Sequence, residues 1–233
     1  MHIGLIGGIG PAATDYYYRG MIERHAAAGT ALELTIAHAD AREMTRNVAN
    51  HDARKQAEIF VRLVRRLAAA GAEAAAVTSM GGHFCVAELE ALSPLPIINA
   101  VPEVAAAIKR RNLKRIGIIG TRLVMETGLY GGLPSVEIVL PEGEALDEVH
   151  RSYIAMAIPG RVTEAQRRLF FSVGQQLCRV QGAEAVMLGG TDLFLAFEGQ
   201  ECGFPLLHCA EIHVEAIYRR SVGEAQRLRA PKV

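Results

Sequence analysis

Two stretches of this chain stay apolar for the length of a strand and then stop at paired glycines. They are Ala74-Ala75-Ala76-Val77-Thr78-Ser79-Met80-Gly81-Gly82-His83 and Ala185-Val186-Met187-Leu188-Gly189-Gly190-Thr191-Asp192. A run of that kind is a strand covered on both faces, which parallel sheets allow and half-exposed antiparallel sheets do not. The glycine pair then turns the chain, and the periodic Cys85, Val86, Leu89 pattern after the first stretch coils it into a helix. At such a strand-to-helix corner the unpaired helix N–H groups favour an anion, and the strand end delivers side chains to the same point. Two such corners facing each other make one site.

Taken in order, the chain repeats strand and helix throughout. His2 to Ile6 is a strand, Gly7 to Thr14 turns into a helix with Pro11 suited to its first turn, and that helix runs to about His25. Leu32 to His38 alternates as a second strand. Asp40 to Asn50, polar and carrying Arg42, Arg46 and Asn47, reads as a loop over a site. Ala57, Phe60, Val61, Val64 and Leu67 are spaced as a helix that Gly71 stops. After the 74–79 strand come a helix over Cys85 to Leu92, a short strand at Ile97-Ile98 and a helix over Val101 to Arg110. Arg115 to Thr121 then restarts the opening theme, with a helix near Val124 to Tyr130. Val136 to Leu140 is a strand, Glu142 to Met156 and Thr163 to Gln181 are helices, and Ala185 to Leu188 is a strand. Asp192 to Phe197 is a helical turn, Leu206-Leu207 the last short strand and Cys209 to Leu228 the closing helix. The turn at 2–14 resembles that at 115–130, and 74–92 resembles 185–197. The expected fold is therefore α/β, with two similar Rossmann-like halves, each a parallel sheet flanked by helices, and the site in the cleft between them. The first half is expected over 1–98 plus 208–233 and the second over 99–207.

Composition removes several classes of function. Lys and Arg together number 25, as do Asp and Glu, so no overall basic field exists to hold nucleic acid. Arg65-Arg66 and Lys109-Arg110-Arg111 read as helix C-termini, where cations complement the dipole. Cys85, Cys178, Cys202 and Cys209 form no CxxC pair and no metal-ligand spacing, so neither a metal site nor a disulfide framework is expected. No apolar run approaches the ~18–20 residues of a membrane span. Met1 leads straight into the first strand with no leader pattern, and a soluble protein of the reducing cytoplasm is the expectation.

Gly8-Ile9-Gly10-Pro11-Ala12-Ala13 has the form G-x-G-x-x-A after a strand, as in dinucleotide-binding turns. The acid expected about twenty residues further on is misplaced, with Glu33 inside a strand and Asp40 too distant. A small carboxylate uses the same turn without that acid, and no cofactor is expected. Ser79 ends its strand without the G-x-S-x-G form of a nucleophile elbow. His83, four residues on, either contacts Ser79 or caps a backbone carbonyl, and a packed or capping role is preferred. Cys85 reads as a small buried hydrophobe.

With both corners and the opening turn in view, nearly the whole chain resembles the cofactor-independent aspartate/glutamate racemase family. Gly7-Gly8-Ile9-Gly10-Pro11-Ala12-Ala13-Thr14 matches the family's G-G-M-G-P-x-A-T. Ser79-Met80-Gly81-Gly82-His83 stands at its C-N-T-x-H, Gly120-Thr121-Arg122-Leu123-Val124-Met125 at its G-T-x-x-T-M, and Gly189-Gly190-Thr191-Asp192 at its G-C-T-E. Arg161 corresponds to a basic residue that follows a glycine. The resemblance implies a homodimer, an amino-acid or other small carboxylate substrate, and proton transfer between two thiols on opposite faces of the substrate's α-carbon. Here the thiol positions are Ser79 and Gly190, so both departures strike the reaction and neither strikes the fold. Ser79, His83, Thr191 and Asp192 are the candidates to replace the thiols. Ile9, Gly10, Thr14, Met80, Gly81, Thr121, Arg161 and Gly190 are the implied substrate-binding set, with Arg42, Arg46 or Arg161 available to a second carboxylate. Three readings follow: a racemase of acidic or related amino acids, another carbon-acid enzyme such as a decarboxylase or isomerase with a recruited Cys85 or Cys202, and a non-catalytic binder of a small carboxylate.

Overall fold

The computed structural model describes residues 1–133 and 135–227. The first sheet begins with β1 (Ile3–Gly7), which turns into α1 (Pro11–Ala27), and continues with β2 (Leu34–His38), α2 (Ala41–Ala49), α3 (Ala53–Ala69) and β3 (Ala74–Val77). A 3₁₀ turn over Gly81–Cys85 leads into α4 (Val86–Leu92). α5 (Ala100–Arg110) precedes the second sheet, whose elements are β4 (Arg115–Ile119), α6 (Arg122–Glu126), β5 (Glu137–Val139), α7 (Glu144–Ala157), α8 (Glu164–Arg179) and β6 (Ala185–Leu188). A second 3₁₀ turn, Thr191–Leu193, opens α9 (Phe194–Phe197), and β7 (Leu206–His208) leads into α10 (Cys209–Arg227), which Gly223 interrupts with φ 68° and ψ 174°. The expected end of this last helix at Leu228 lies outside the described residues.

Both sheets are parallel throughout and share one order. The first runs β2-β1-β3, with Ile97 bridged to Ala75 beyond β3, and the second runs β5-β4-β6-β7. The short strand expected at Ile97-Ile98 is thus a single bridge in the place that β7 takes in the second sheet. The repetition reaches individual contacts. A Cβ on Gly4 in β1 would lie 2.9 Å from Leu67 Cδ1 of α3, and one on Gly117 in β4 would lie 2.9 Å from Leu177 Cδ1 of α8. In each half the central strand gives up a side chain so that a helix leucine can sit on the sheet, where an added methyl would cost ~1–3 kcal/mol in overpacking.

Burial follows from this layering. β1, β3 and β6 are buried along their whole length, as strands with helices on both faces must be. α3 packs Phe60, Val64 and Leu67 against one face of the first sheet. The other face is covered by Tyr17 and Met21 of α1 together with Ala210, Val214 and Ile217 of α10, so the C-terminal helix returns to the first sheet. The second sheet's core unites Ile116, Ile118, Val186 and Leu188 with Phe170, Val173 and Leu177 of α8.

One expected loop is a helix. Asp40 caps α2 by accepting from Arg42 N at 2.8 Å, and Asn47 on its inner side is buried and donates to Gln56 Oε1 of α3 at 2.8 Å. The buried Asn47 is joined by Ala41, Met44 and Val48, half-buried at helical spacing, a short apolar side that the polar residues between them mask in the sequence.

Candidate functional site

The corners lie at the carboxyl ends of β1, β3, β4 and β6. In the first turn Gly8, at φ 91°, swings the chain off β1. Thr14 then fastens the turn, its Oγ1 accepting from Gly8 N at 2.9 Å and donating to Gly10 O at 3.0 Å. Thr121 has a comparable local duty in the second half, capping α6 by accepting from Val124 N. Both threonines hold the backbone of their own turns.

Ser79, His83, Thr191 and Asp192 are all buried, none more than 5% exposed. Ser79 Oγ accepts from Gly82 N at 3.3 Å. His83 is turned away from that hydroxyl. Its Nδ1 donates to the Ser79 carbonyl at 2.8 Å, and its Nε2 accepts from Ala100 N at 3.3 Å, which fixes the neutral tautomer and uses both ring nitrogens. Burial pushes its pKa down to about 4. His213 of α10 lies beside it, ring centroids 5.4 Å apart, accepting from Tyr17 Oη and donating to Ile98 O at 2.8 Å. These two imidazoles bind the segment 98–100 where the chain passes from one sheet to the other.

Asp192 joins the corners. Its Oδ1 accepts from Ala13 N of α1 at 3.1 Å and its Oδ2 from Tyr153 Oη of α7 at 3.2 Å, with Thr191 Oγ1 at 3.5 Å. Gly10, at the N-cap of α1, makes no side-chain cap of its own, so the chain supplies the anion that this helix end favours from the opposite half. Burial raises the Asp192 pKa to about 6, although the Ala13 and Tyr153 donors pull it down. The Ile9-Gly10 turn, expected to receive a ligand's carboxylate, here receives that of Asp192.

The remaining candidates are spread around this pair. Met80 is fully buried, and Gly81 lies under Met44 of α2, so α2 does cover the first corner, with a thioether where Arg42 or Arg46 was expected. Arg42 and Arg46 are exposed, Arg42 pairing with Asp40. Arg161 is exposed, following Gly160, whose Cβ position lies 3.4 Å from Ala12 Cβ at the start of α1. Ile9 is half-buried, its Cδ1 3.5 Å from the Cβ position of Gly82.

Two tyrosines complete the arrangement. Tyr130, held in a left-handed conformation with Leu129, donates to Met80 O at 2.9 Å and lies 3.3 Å from Gly81 O, closing the first corner from the second half. Tyr153 stands against Gly190, where a Cβ would lie 2.2 Å from its Cε2. Neither was singled out in the sequence. Tyr153 falls on the apolar face of α7 with Val149 and Met156, where its ring looks like core, and only the need of a buried hydroxyl for a partner distinguishes it.

The thiols are elsewhere. Cys85 Sγ donates to Gly82 O at 3.5 Å and burial pushes its pKa up to about 12; Cys202 Sγ donates to Phe204 O at 3.3 Å. Burial also raises Cys209 and Cys178. A thiolate is the form that acts as base, and burial without a cation disfavours it. Among the described residues no group of three or more His, Cys, Asp and Glu is placed to hold a metal ion, and no helix is long and apolar enough to cross a membrane.

This pairing of like sheets, with the site residues at their facing ends, defines a class. Residues 6–217 match the Asp/Glu/hydantoin racemase family model, and the chain belongs to that family. Its fold is similar to that of a provisionally assigned Asp/Glu racemase from Yersinia pestis, at 28% identity over 96% of this chain and 100% of that one, with a TM-score of 0.81. It is also similar to an aspartate racemase homologue from Pyrococcus horikoshii OT3, at 25% identity over 93% and 97% of the two chains, TM-score 0.76. The fold alone is shared with a glutamate racemase from Thermus thermophilus, at 20% identity over 99% and 83%, TM-score 0.64.

Proposed function

We propose that this chain binds a small carboxylic acid, an amino acid foremost, between the two corners and moves the proton on the carbon beside its carboxylate, without cofactor or thiol. Asp192 is the observation that carries the reading. A carboxyl pushed up to about 6 accepts a proton near neutral pH and returns it readily, which a fully acidic carboxylate does not. It stands beside the residue that replaces the family's second thiol and shares its proton environment with Tyr153 and Thr191. Helix-opening amides at both corners favour the charge that develops on the substrate carboxylate as the proton leaves. Ser79 Oγ, an acceptor from Gly82 N, keeps its own proton to donate to that carboxylate.

The reading carries with it a homodimer in the cytoplasm. It also takes 1–98 plus 208–233 and 99–207 as the working halves, supported by the packing of α10 on β1 and β3.

The test is α-proton exchange in deuterated water, followed by proton NMR, with aspartate, glutamate and a panel of other amino acids. Exchange is expected with at least one of them, falling by ~10²-fold or more in Asp192→Asn, the scale of a lost general base. A non-catalytic binder is the second reading, favoured by the deep burial of all four candidates and by the Tyr130 hydroxyl on Met80 O. Saturable binding with no exchange across the panel would replace the first reading by the second.

A further inference from the structure

Two glycines of the site lie in backbone conformations that need no glycine. Gly10 has φ −121° and ψ 114°, and Gly190 has φ −125° and ψ 131°, both ordinary extended backbone. What bars a side chain at either position is another residue. A Cβ on Gly10 would lie 2.4 Å from Asp192 Oδ2 and 2.5 Å from Oδ1; one on Gly190 would lie 2.2, 2.5 and 2.8 Å from Tyr153 Cε2, Cζ and Oη. The space of one missing side chain is filled by a carboxyl and that of the other by a phenol, and the two fillers are hydrogen-bonded to each other at 3.2 Å.

We propose that Tyr153 is the positioning residue of this site: from α7 it occupies the side-chain space of residue 190 and holds the Asp192 carboxyl against the first turn of α1. This rests on the assignment of Asp192 as the proton-carrying group. Residues 10, 192, 153 and 190 then form one arrangement drawn from α1, the 191–193 turn, α7 and the end of β6, and a change at one position requires a change at its neighbour. Tyr153 is 5% exposed and donates to Oδ2 of Asp192 while Ala13 N donates to Oδ1, so each carboxylate oxygen has its own donor, one a backbone amide and one a phenol. Thr191, at 3.5 Å, sits at the limit of a hydrogen bond and cannot replace the phenol.

Two measurements on the full chain test this. Tyr153→Phe keeps the ring and removes the donor. Carbon-13 NMR of labelled aspartate carboxyls, with the Asp192 signal assigned through Asp192→Asn, should show the Asp192 midpoint move upward by roughly one pH unit, because a donor to the charged form has been lost. A merely structural tyrosine would leave the midpoint in place, and an unmoved or lowered midpoint overturns the proposal. Gly190→Ala should lower the thermal midpoint in the wild-type background and lower it much less in a Tyr153→Ala background. Equal losses in both, or no loss in the first, would equally overturn it. Neither readout requires turnover. A shifted midpoint in a protein that exchanges no α-proton would therefore leave Tyr153 in its role and remove only the catalytic reading of Asp192.

Discussion

Asp192 ties its protonation to folding in a direction unusual for a carboxyl. Its pKa is raised from 3.8 to about 6, so its contribution to stability is fully present below 3.8 and is lost as pH rises through about 6. About 3 kcal/mol is at stake across that window. His83 and His213, lowered to about 4 and about 3, work the opposite way: their contribution is present above 6.5 and is lost as pH falls through those values. Urea unfolding measured from pH 3 to pH 8 should therefore show the stability of Asp192→Asn rising more steeply between about pH 4 and pH 6 than that of the wild type, in which the Asp192 loss offsets part of the gain from the two histidines. Identical profiles would mean that Asp192 titrates normally. Ser79, His83, Thr191 and Asp192 stand out in the sequence because glycine-bounded strand ends mark them. Their directions do not. Which way the His83 ring turns depends on Ala100 N, seventeen residues away in sequence, and the place of Asp192 depends on Ala13 and Tyr153, which no local pattern connects to it.

Elements follow the sequence most closely where parallel-sheet burial leaves a continuous apolar run, as at β1, β3, β4 and β6, and where caps are explicit. α8 begins with a complete capping box, Thr163 accepting from Gln166 N and Gln166 returning to the backbone of Thr163. Breaking it with Thr163→Ala should cost about 1 kcal/mol in chemical denaturation, since the Gln166 N–H loses its acceptor while Gln166 Oε1 can still accept from the backbone N–H of residue 163. A loss below a few tenths would show that packing of α8 on β4 alone sets its start. α2 is the counterexample. Its fully buried contact is the Asn47 to Gln56 pair, a feature of tertiary structure that polar letters do not announce, and the apolar side it shares with Met44 and Val48 is too short to stand out. The edge position at Ile97 is short for a related reason: one bridge to Ala75 is all that the first sheet has where the second has β7.

At the scale of the whole molecule, the two-fold repetition of sheet order was legible because each half restarts with the same strand and glycine turn. The closure of the corners by Tyr130 and Tyr153 was not, because Tyr130 stands in a glycine-rich turn and Tyr153 on an apolar helix face, and the partner of each lies in another element. The thiols sort by burial: Cys85, Cys202 and Cys209 are buried and Cys178 on α8 is partly exposed. Brief treatment of the folded protein with iodoacetamide should label Cys178 first, by mass spectrometry, and leave α-proton exchange or ligand binding unchanged. Loss of either in step with Cys178 labelling would return a thiol to the mechanism.

The chain crosses between the halves at 98–100 and again at 208–209, and His213, four residues past the second crossing, is bonded to Ile98 in the first. The two crossings are thus tied to each other, and the Asp192 bond to Ala13 and the Tyr130 bond to Met80 O join the sheets again at their carboxyl ends. A proton on Asp192 would cancel the charge that the positive end of α1 attracts, so the carboxyl proposed to carry the proton is also one of the fasteners between the two sheets.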